Sequence, residues 1–346
     1  MKKKLLFRFY LLLTALLLTF YVLLPKPLFS IRENRRLANL SSGQISDLPK
    51  NISAFMRDRF PFRTFWIGIA AEASLLFGGE ANGIFSCDGR LLKREDSFDI
   101  DKARRSCETV KAIAAYAGLP IYTVAIPRPS DVTGEQKNGY ESPVKQEVGS
   151  FLAEIRSIGT DKLSIEDYYK TDHHLTVTGI EKLYRALCPS LGITEKMPQS
   201  YRAVSGFRGS VFRESGLFDF AKEDILLPIF GDESDIYFTA EEKELPFYRY
   251  DAVNTGDGYN AFLGGNYGYA VLSKGDTEKE TLLVIKDSYA NACVPYLLED
   301  FRVVLVDPRY FRGNIDGLLQ KEKPEKILLF AGVSLLLDGI NLPLSE

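Results

Sequence analysis

Thr281-Leu-Leu-Val-Ile-Lys-Asp-Ser288-Tyr-Ala-Asn-Ala-Cys-Val-Pro-Tyr-Leu-Leu298 is the stretch on which the fold turns. An apolar, β-branched run, a polar break and a second apolar run read as a buried strand, a turn and a helix. A serine in such a turn stands at the carboxyl end of a sheet, where neighbouring backbone N–H groups are free to point at an anion. The rhythm continues with an apolar strand at 303–306, a helical stretch over about 314–320 and a strand at 326–330. Strands alternating with helices indicate a parallel sheet with right-handed crossovers. Upstream, an amphipathic helix at 101–117, closed by Gly118, leads into a strand at 119–126 and the loop Pro127-Arg-Pro-Ser-Asp131. The class expected is α/β, with these four strands in one sheet and helices on its faces.

Thr171-Asp172-His173-His174-Leu175-Thr176-Val177-Thr178-Gly179 carries the only two histidines of the chain. Imidazole is the side chain whose ordinary pKa lets it accept and return a proton near neutrality. Acid–base chemistry by histidine is therefore confined to this loop. Asp172 precedes His174 by two positions, near enough to orient its ring. Thr178-Gly-Ile-Glu181 reads as a capping box, opening a helix with Ile180, Leu183, Tyr184 and Leu187 on one face. Ser288, a histidine and Asp172 then make a nucleophile, a base and an orienting carboxylate. Either His174 or His173 can be the base on these grounds.

The remaining chain frames that pair of motifs. Residues 52–73 look helical, with Pro61 as a break. Gly78-Gly79, Asn82-Gly83 and Asp88-Gly89 are hairpin signals within 77–92. A helix is expected at 141–157 and a short strand or turn at 162–169. Residues 197–280 change rhythm to short aromatic, strand-like pieces between turns, a β-rich insertion. Cys87, Cys107, Cys188 and Cys293 are too few and too scattered for a disulfide framework or a zinc site. Nothing in the sequence calls for a metal or a cofactor.

The N-terminus has a different character. Lys2, Lys3, Lys4 and Arg8 precede the uncharged run 9–24, and counting from Leu5 gives a length that spans a bilayer. No small-x-small tripeptide follows it, so an uncleaved signal anchor is expected, with 1–8 as a cytoplasmic tail and the body exported. A cleaved signal peptide is the alternative. A juxtamembrane linker and helix fill 25–75, and 76–346 form the extracytoplasmic domain. Residues 1–36 hold eight Lys/Arg against Glu33, a net of +7, so a total of −3 leaves −10 for the rest. That acidic body argues against nucleic acid as a partner.

Several segments together resemble the DHHW family of exported bacterial proteins, related to the alginate O-acetyltransferases of the SGNH-hydrolase superfamily. They are Glu33-Asn-Arg-Arg-Leu-Ala38, Asp58-Arg-Phe-Pro-Phe-Arg63, the Thr171 to Gly179 loop, Phe262-Leu-Gly-Gly-Asn266, Lys286-Asp-Ser288 and Asp307-Pro-Arg-Tyr310. The resemblance implies an SGNH-hydrolase-like (flavodoxin-like) sheet and the order Asp-x-His before Ser, which favours His174 over His173 as the base. It also implies an oxyanion role for Asn266; Arg309 and Tyr310, just past the carboxyl end of a core strand, and Tyr289 beside the serine are further oxyanion or substrate candidates. Two positions depart from the family pattern: Leu175 stands for Trp, and Lys286 stands for the Gly before Asp-Ser. Asn266 as a simple turn residue, and Arg309 as the ion-pair partner of Asp307, are the structural alternatives.

Two functions of different class fit. One is a membrane-anchored O-acyltransferase, or an acylesterase, acting on an envelope or exported polysaccharide, with a membrane-bound O-acyltransferase as acyl donor. The other is a non-catalytic polysaccharide-binding scaffold that uses exposed aromatics. The anchor is testable directly. The full chain should sediment with membranes, resist extraction by high salt and be released by detergent, whereas a soluble product beginning near residue 30 would contradict it.

Overall fold

The structure is a computed structural model that describes residues 2–23, 28–30, 35–38, 48–133, 142–254, 256–275 and 278–344. The chain divides into two compact units, Met1–Ile84 with Phe212–Asp219, and Phe85–Val211 with Phe220–Glu346.

In the first unit, α1 (Lys2–Leu23) is long and apolar enough over Lys4–Tyr21 to cross a membrane by length and composition. Its hydroxyls suit that setting. Thr14 and Thr19 each donate to the carbonyl four residues back, Tyr10 and Ala15, at 2.8 and 2.9 Å, so neither is left unpaired in an apolar medium. Helices α2 (Leu48–Asp58) and α3 (Arg63–Leu76) are separated where Pro61 was expected to break them. Of the segment Glu33-Asn-Arg-Arg-Leu-Ala38, Glu33 and Asn34 lie outside the described residues. Its end is tied down, because the Ala38 N–H donates to the buried Asp58 carboxylate at 2.9 Å.

The second unit is built on a seven-stranded mixed sheet. Its strands are β1 (Ile121–Ile126), β4 (Ile236–Ala240), β5 (Lys243–Glu244), β6 (Tyr269–Lys274), β7 (Thr281–Lys286), β8 (Arg302–Val306) and β9 (Lys326–Gly332). The order across the sheet is β1-β9-β7-β8-β6-β4-β5. The first four are mutually parallel, as the sequence implies. The insertion turns the expected parallel sheet into a mixed one. Its strands β6, β4 and β5 add to the β8 edge in antiparallel sense, while β2 (Ser200–Phe207) and β3 (Glu223–Ile229) form a separate antiparallel pair.

The parallel strands are largely apolar because both faces are covered. Along β7, Leu282 and Val284 enter one core and Leu283 and Ile285 the other. The first core is filled by α6 (Val177–Leu191) and the aromatics of the insertion. The second is filled by α4 (Ile100–Ala117), α5 (Lys145–Glu154), α9 (Ile315–Glu322) and α10 (Val333–Asp338). Two short helices among the described residues are α7 (Ser210–Ser215) and α8 (Val294–Leu297). The helix expected after Ser288 is short: a 3₁₀ turn, Ser288–Ala292, is followed by the single turn of α8 with Pro295 in it. The cap of α6 also differs from expectation. Thr176, not Thr178, is the N-cap and accepts from the Gly179 N–H, and Glu181 faces the hydroxyls of Tyr201 and Tyr296 rather than the helix start.

Both cores should depend on the sheet. Phe330 on β9 is fully buried, so Phe330→Ala should destabilise the protein by about 3–5 kcal/mol through lost transfer energy and a cavity. Chemical denaturation monitored by circular dichroism would show it as a lower midpoint with an unchanged slope.

Candidate active site

The four parallel strands end together, and the chain segments that follow them carry the polar residues. Pro127 follows β1, Asp287 and Ser288 follow β7, and Asp307 follows β8. The histidine loop is pinned to this edge. The Tyr168 hydroxyl donates to the Pro127 carbonyl at 2.8 Å, and the Arg90 guanidinium donates to the Tyr168 carbonyl at 2.8 Å. The loop closes on itself through an isolated bridge between Tyr168 and Leu175. Leu175, one of the two bridge residues, is buried in the first core.

His174 connects the two motifs. Its Nε2 lies 2.8 Å from Ser288 Oγ and its Nδ1 lies 2.5 Å from Asp172 Oδ1. The Tyr259 ring stacks flat on the imidazole, with centroids 3.6 Å apart and planes 8° from parallel. This fixes the ring plane as the Asp172 bond fixes its edge. His173 lies beside it, 3.5 Å from the same Asp172 Oδ1, with other hydrogen-bond partners. Its Nδ1 lies 2.8 Å from the Ser210 hydroxyl, and its carbonyl accepts from the Tyr289 hydroxyl at 2.7 Å.

Asp172 is almost wholly buried, yet it is kept ionised. Burial pushes its pKa up, but the two imidazoles, the His174 hydrogen bond and the backbone N–H of Ser210 outweigh that and hold it well below the usual carboxylate range. The Ser210 N–H donates to Oδ2 at 2.6 Å and the His174 N–H to Oδ1 at 2.9 Å. Gly209 lets the backbone come this close, since a Cβ there would stand 2.1 Å from the Asp172 side chain. Glu223, the first residue of β3, accepts from the Thr171 N–H and hydroxyl at 3.1 and 3.0 Å and so fixes the residue before the aspartate.

The serine turn is organised by Asp287. Its carboxylate accepts from the Tyr289 N–H at 3.0 Å and from the Gly332 N–H at 2.9 Å, tying the turn to the end of β9. Burial raises its pKa, against the pull of Arg309 and these two N–H groups. Ser288 opens the 3₁₀ turn, so its own N–H has no partner inside it.

Lys286 is the last strand residue, in register with Phe330 and in ordinary extended backbone. The conformational freedom of glycine is not needed there. Of the other candidates, Asn266 lies beside Lys286, with 3.0 Å between its Oδ1 and the lysine Nζ. Tyr289 is buried with its hydroxyl committed to His173. Arg309 forms a forked pair with Asp307, at 2.9 and 2.6 Å, as the structural alternative expects, and only Tyr310 is well exposed.

Asp172, His173 and His174 offer three potential metal-ligand atoms within 4.8 Å of one another. Those groups are engaged with each other, with Ser288 and with Ser210, so a cation would have to break these bonds. Gly209, Ser210, Glu223, Tyr259 and Gly332 complete the site and carry no sequence motif. Only the Gly-Ser pair at 209–210, preceding a short helix, offered a local signal.

The family model described as DHHW protein matches residues 154–307, which include the histidine loop and the serine turn. The resemblance read from the sequence is thereby borne out. A DHHW family protein from Eubacterium siraeum is structurally similar at 16% identity and a TM-score of 0.60, over 77% of this chain and 98% of that one. Bacillus cereus PatB1 is similar at 16% identity and a TM-score of 0.55, over 73% of this chain and 96% of that one. Its form with a sulfonyl adduct matches at 17% identity and 0.54, over 73% and 94%. No curated protein matches. At such identities the likeness is one of fold.

The contact at Gly209 makes a prediction. Gly209→Ala should force Asp172 away from His174 and destabilise the protein by about 1–3 kcal/mol as an overpacking change. In proton NMR the low-field imidazole N–H signal of His174 should disappear while the far-ultraviolet circular dichroism is kept. A retained low-field signal would contradict the assignment.

Proposed function

We propose that this chain is a membrane-anchored, extracytoplasmic serine O-acyltransferase, O-acetyl in its normal reaction, that modifies an envelope or exported polysaccharide. The observation that carries the reading is the unbroken line from Ser288 Oγ through both ring nitrogens of His174 to Asp172. A serine hydroxyl is a weak nucleophile until a base takes its proton. Here the base is within hydrogen-bond reach, its ring is fixed by a carboxylate and a stacked tyrosine, and the carboxylate stays charged.

The reaction follows from that geometry. Ser288 Oγ bonds to the acyl carbonyl carbon of the donor as its proton passes to His174 Nε2. The imidazolium faces ionised Asp172. Collapse breaks the bond to the donor's leaving group, which takes the proton from Nε2, and acyl-Ser288 remains. A sugar hydroxyl then gives its proton to Nε2 and attacks the ester, and Ser288 Oγ leaves with that proton. In both steps the carbonyl oxygen becomes an oxyanion, to be met by the Ser288 N–H and the Asn266 amide. Water in place of sugar gives the esterase.

The acyl donor is assigned to a membrane-bound O-acyltransferase, which suits anchoring through residues 9–24. The fold likeness to PatB1, known with a sulfonyl adduct, makes sulfonyl reagents natural probes of Ser288.

The unit should fail as a unit. With p-nitrophenyl acetate, Ser288→Ala should lower kcat by at least about 10³-fold, and adding His174→Ala should cost little more. His173→Ala should cost less than about tenfold, since its ring does not sit between Asp172 and Ser288. Wild-type turnover in Ser288→Ala would refute the reading and leave the binding scaffold.

A further inference from the structure

Lys286 is unusual in two respects. It is a lysine on a central strand with 1% of its surface exposed, and among the described residues its ammonium pairs directly with no carboxylate. It donates instead to two amide oxygens, Asn291 Oδ1 at 2.6 Å and Asn266 Oδ1 at 3.0 Å. An ammonium has donors and no acceptor. Whichever atom of each amide faces it must therefore be the oxygen, and both side-chain orientations are fixed.

The two asparagines differ in what remains. Asn291 is buried, and its Nδ2 is used on the Gly265 carbonyl and Asn266 Oδ1, both at 3.2 Å. Asn266 is half-buried, and its Oδ1 receives both Lys286 and Asn291. Its Nδ2 donates to no group among the described residues. Lys286 is two residues before Ser288 and Asn291 three after it, so this amide stands at the serine turn with its N–H₂ turned away from the lysine.

We propose that Lys286 is a positioning residue that holds Asn266 with its oxygen inward and its N–H₂ presented toward the oxyanion of acyl-Ser288 formation. The inference rests on the acyl-transfer reading and adds to it a role for a residue that departs from the family pattern. The bond is charge-assisted and so about twice as strong as its neutral counterpart. Loss of the charge would give the amine a lone pair and allow the amide to turn over. The charged groups around the ammonium are Asp287, Asp307 and Arg309, and burial outweighs the two carboxylates to bring its pKa down to about 8. The orienting charge is then present below that pH and lost as pH rises through it.

The test combines kinetics with a readout that needs no turnover. In the detergent-solubilised full chain, the Asn266 side-chain amide signals in ¹⁵N–¹H spectra should titrate with a midpoint near pH 8. In Lys286→Met they should be shifted and independent of pH. With p-nitrophenyl acetate, Lys286→Met should lower kcat by about 10- to 100-fold with little change in KM, within the loss of about 10²–10³ expected for one oxyanion donor. The same change made in Asn266→Ala should cost less than about twofold.

Asn266 signals indifferent to pH from 6 to 10 would overturn the inference, and that experiment stands even if Lys286→Met does not fold. Equal losses from Lys286→Met with and without Asn266 would overturn it too. A Ser288-dependent turnover that survives Lys286→Met intact would sink the lysine's role alone. Turnover independent of Ser288 would sink the acyl-transfer reading, and with it the oxyanion toward which the amide is turned.

Discussion

Asp172 is a carboxylate with almost no access to water, and the loop around it is arranged to keep it charged. Removing an ion from water costs several kcal/mol unless its lone pairs are met. Here they are met by the His174 ring and N–H and by the Ser210 N–H. Much else in the site follows from that requirement. Gly209 must lack a side chain for the backbone to come close, and Glu223 must hold Thr171 so that the aspartate cannot swing away. Tyr259 must cover the imidazole face so that the ring keeps the orientation in which Nε2 meets Ser288.

The sheet supplies the rigid frame for this arrangement. Four parallel strands buried on both faces leave little room for polar groups between their ends, so the polar residues of the site gather where the strands end. Two of those strand ends are cross-tied by Asp287, which joins the turn after β7 to Gly332 on β9. Lys286 shows the same economy. Burial deprives it of water, and two asparagine oxygens replace the water while taking fixed orientations from it.

Much of this was legible in the sequence because it was local. The run 281–285 declares a buried strand, and the serine after it declares a turn. Two histidines in the whole chain leave little choice of base, and Asp172 lies within one loop of His174. The remainder is not local. Nothing in the residues of the insertion says that β6 will pair antiparallel with β8, because strand partners are settled by which edge is left open. Tyr259 and Glu223 reach the site from distant segments, and neither belongs to a motif. The capping residue of α6 was misplaced by two positions because Thr176 and Thr178 both suit the role, and only the bond to Gly179 separates them. The helix expected after Ser288 is shortened to a 3₁₀ turn and the single turn of α8, because apolar character there reflects burial between layers more than a helical face.

The central claim is that Ser288 is a nucleophile activated by His174, and covalent trapping tests it most directly. The full chain, in detergent, would be treated with an arylsulfonyl fluoride and with p-nitrophenyl acetate, quenched in acid and mapped by peptide mass spectrometry. The account predicts a single adduct on Ser288, absent in Ser288→Ala and formed far more slowly in His174→Ala, while His173→Ala labels at close to the wild-type rate. An adduct on another residue, or labelling of Ser288 that does not depend on His174, would contradict it.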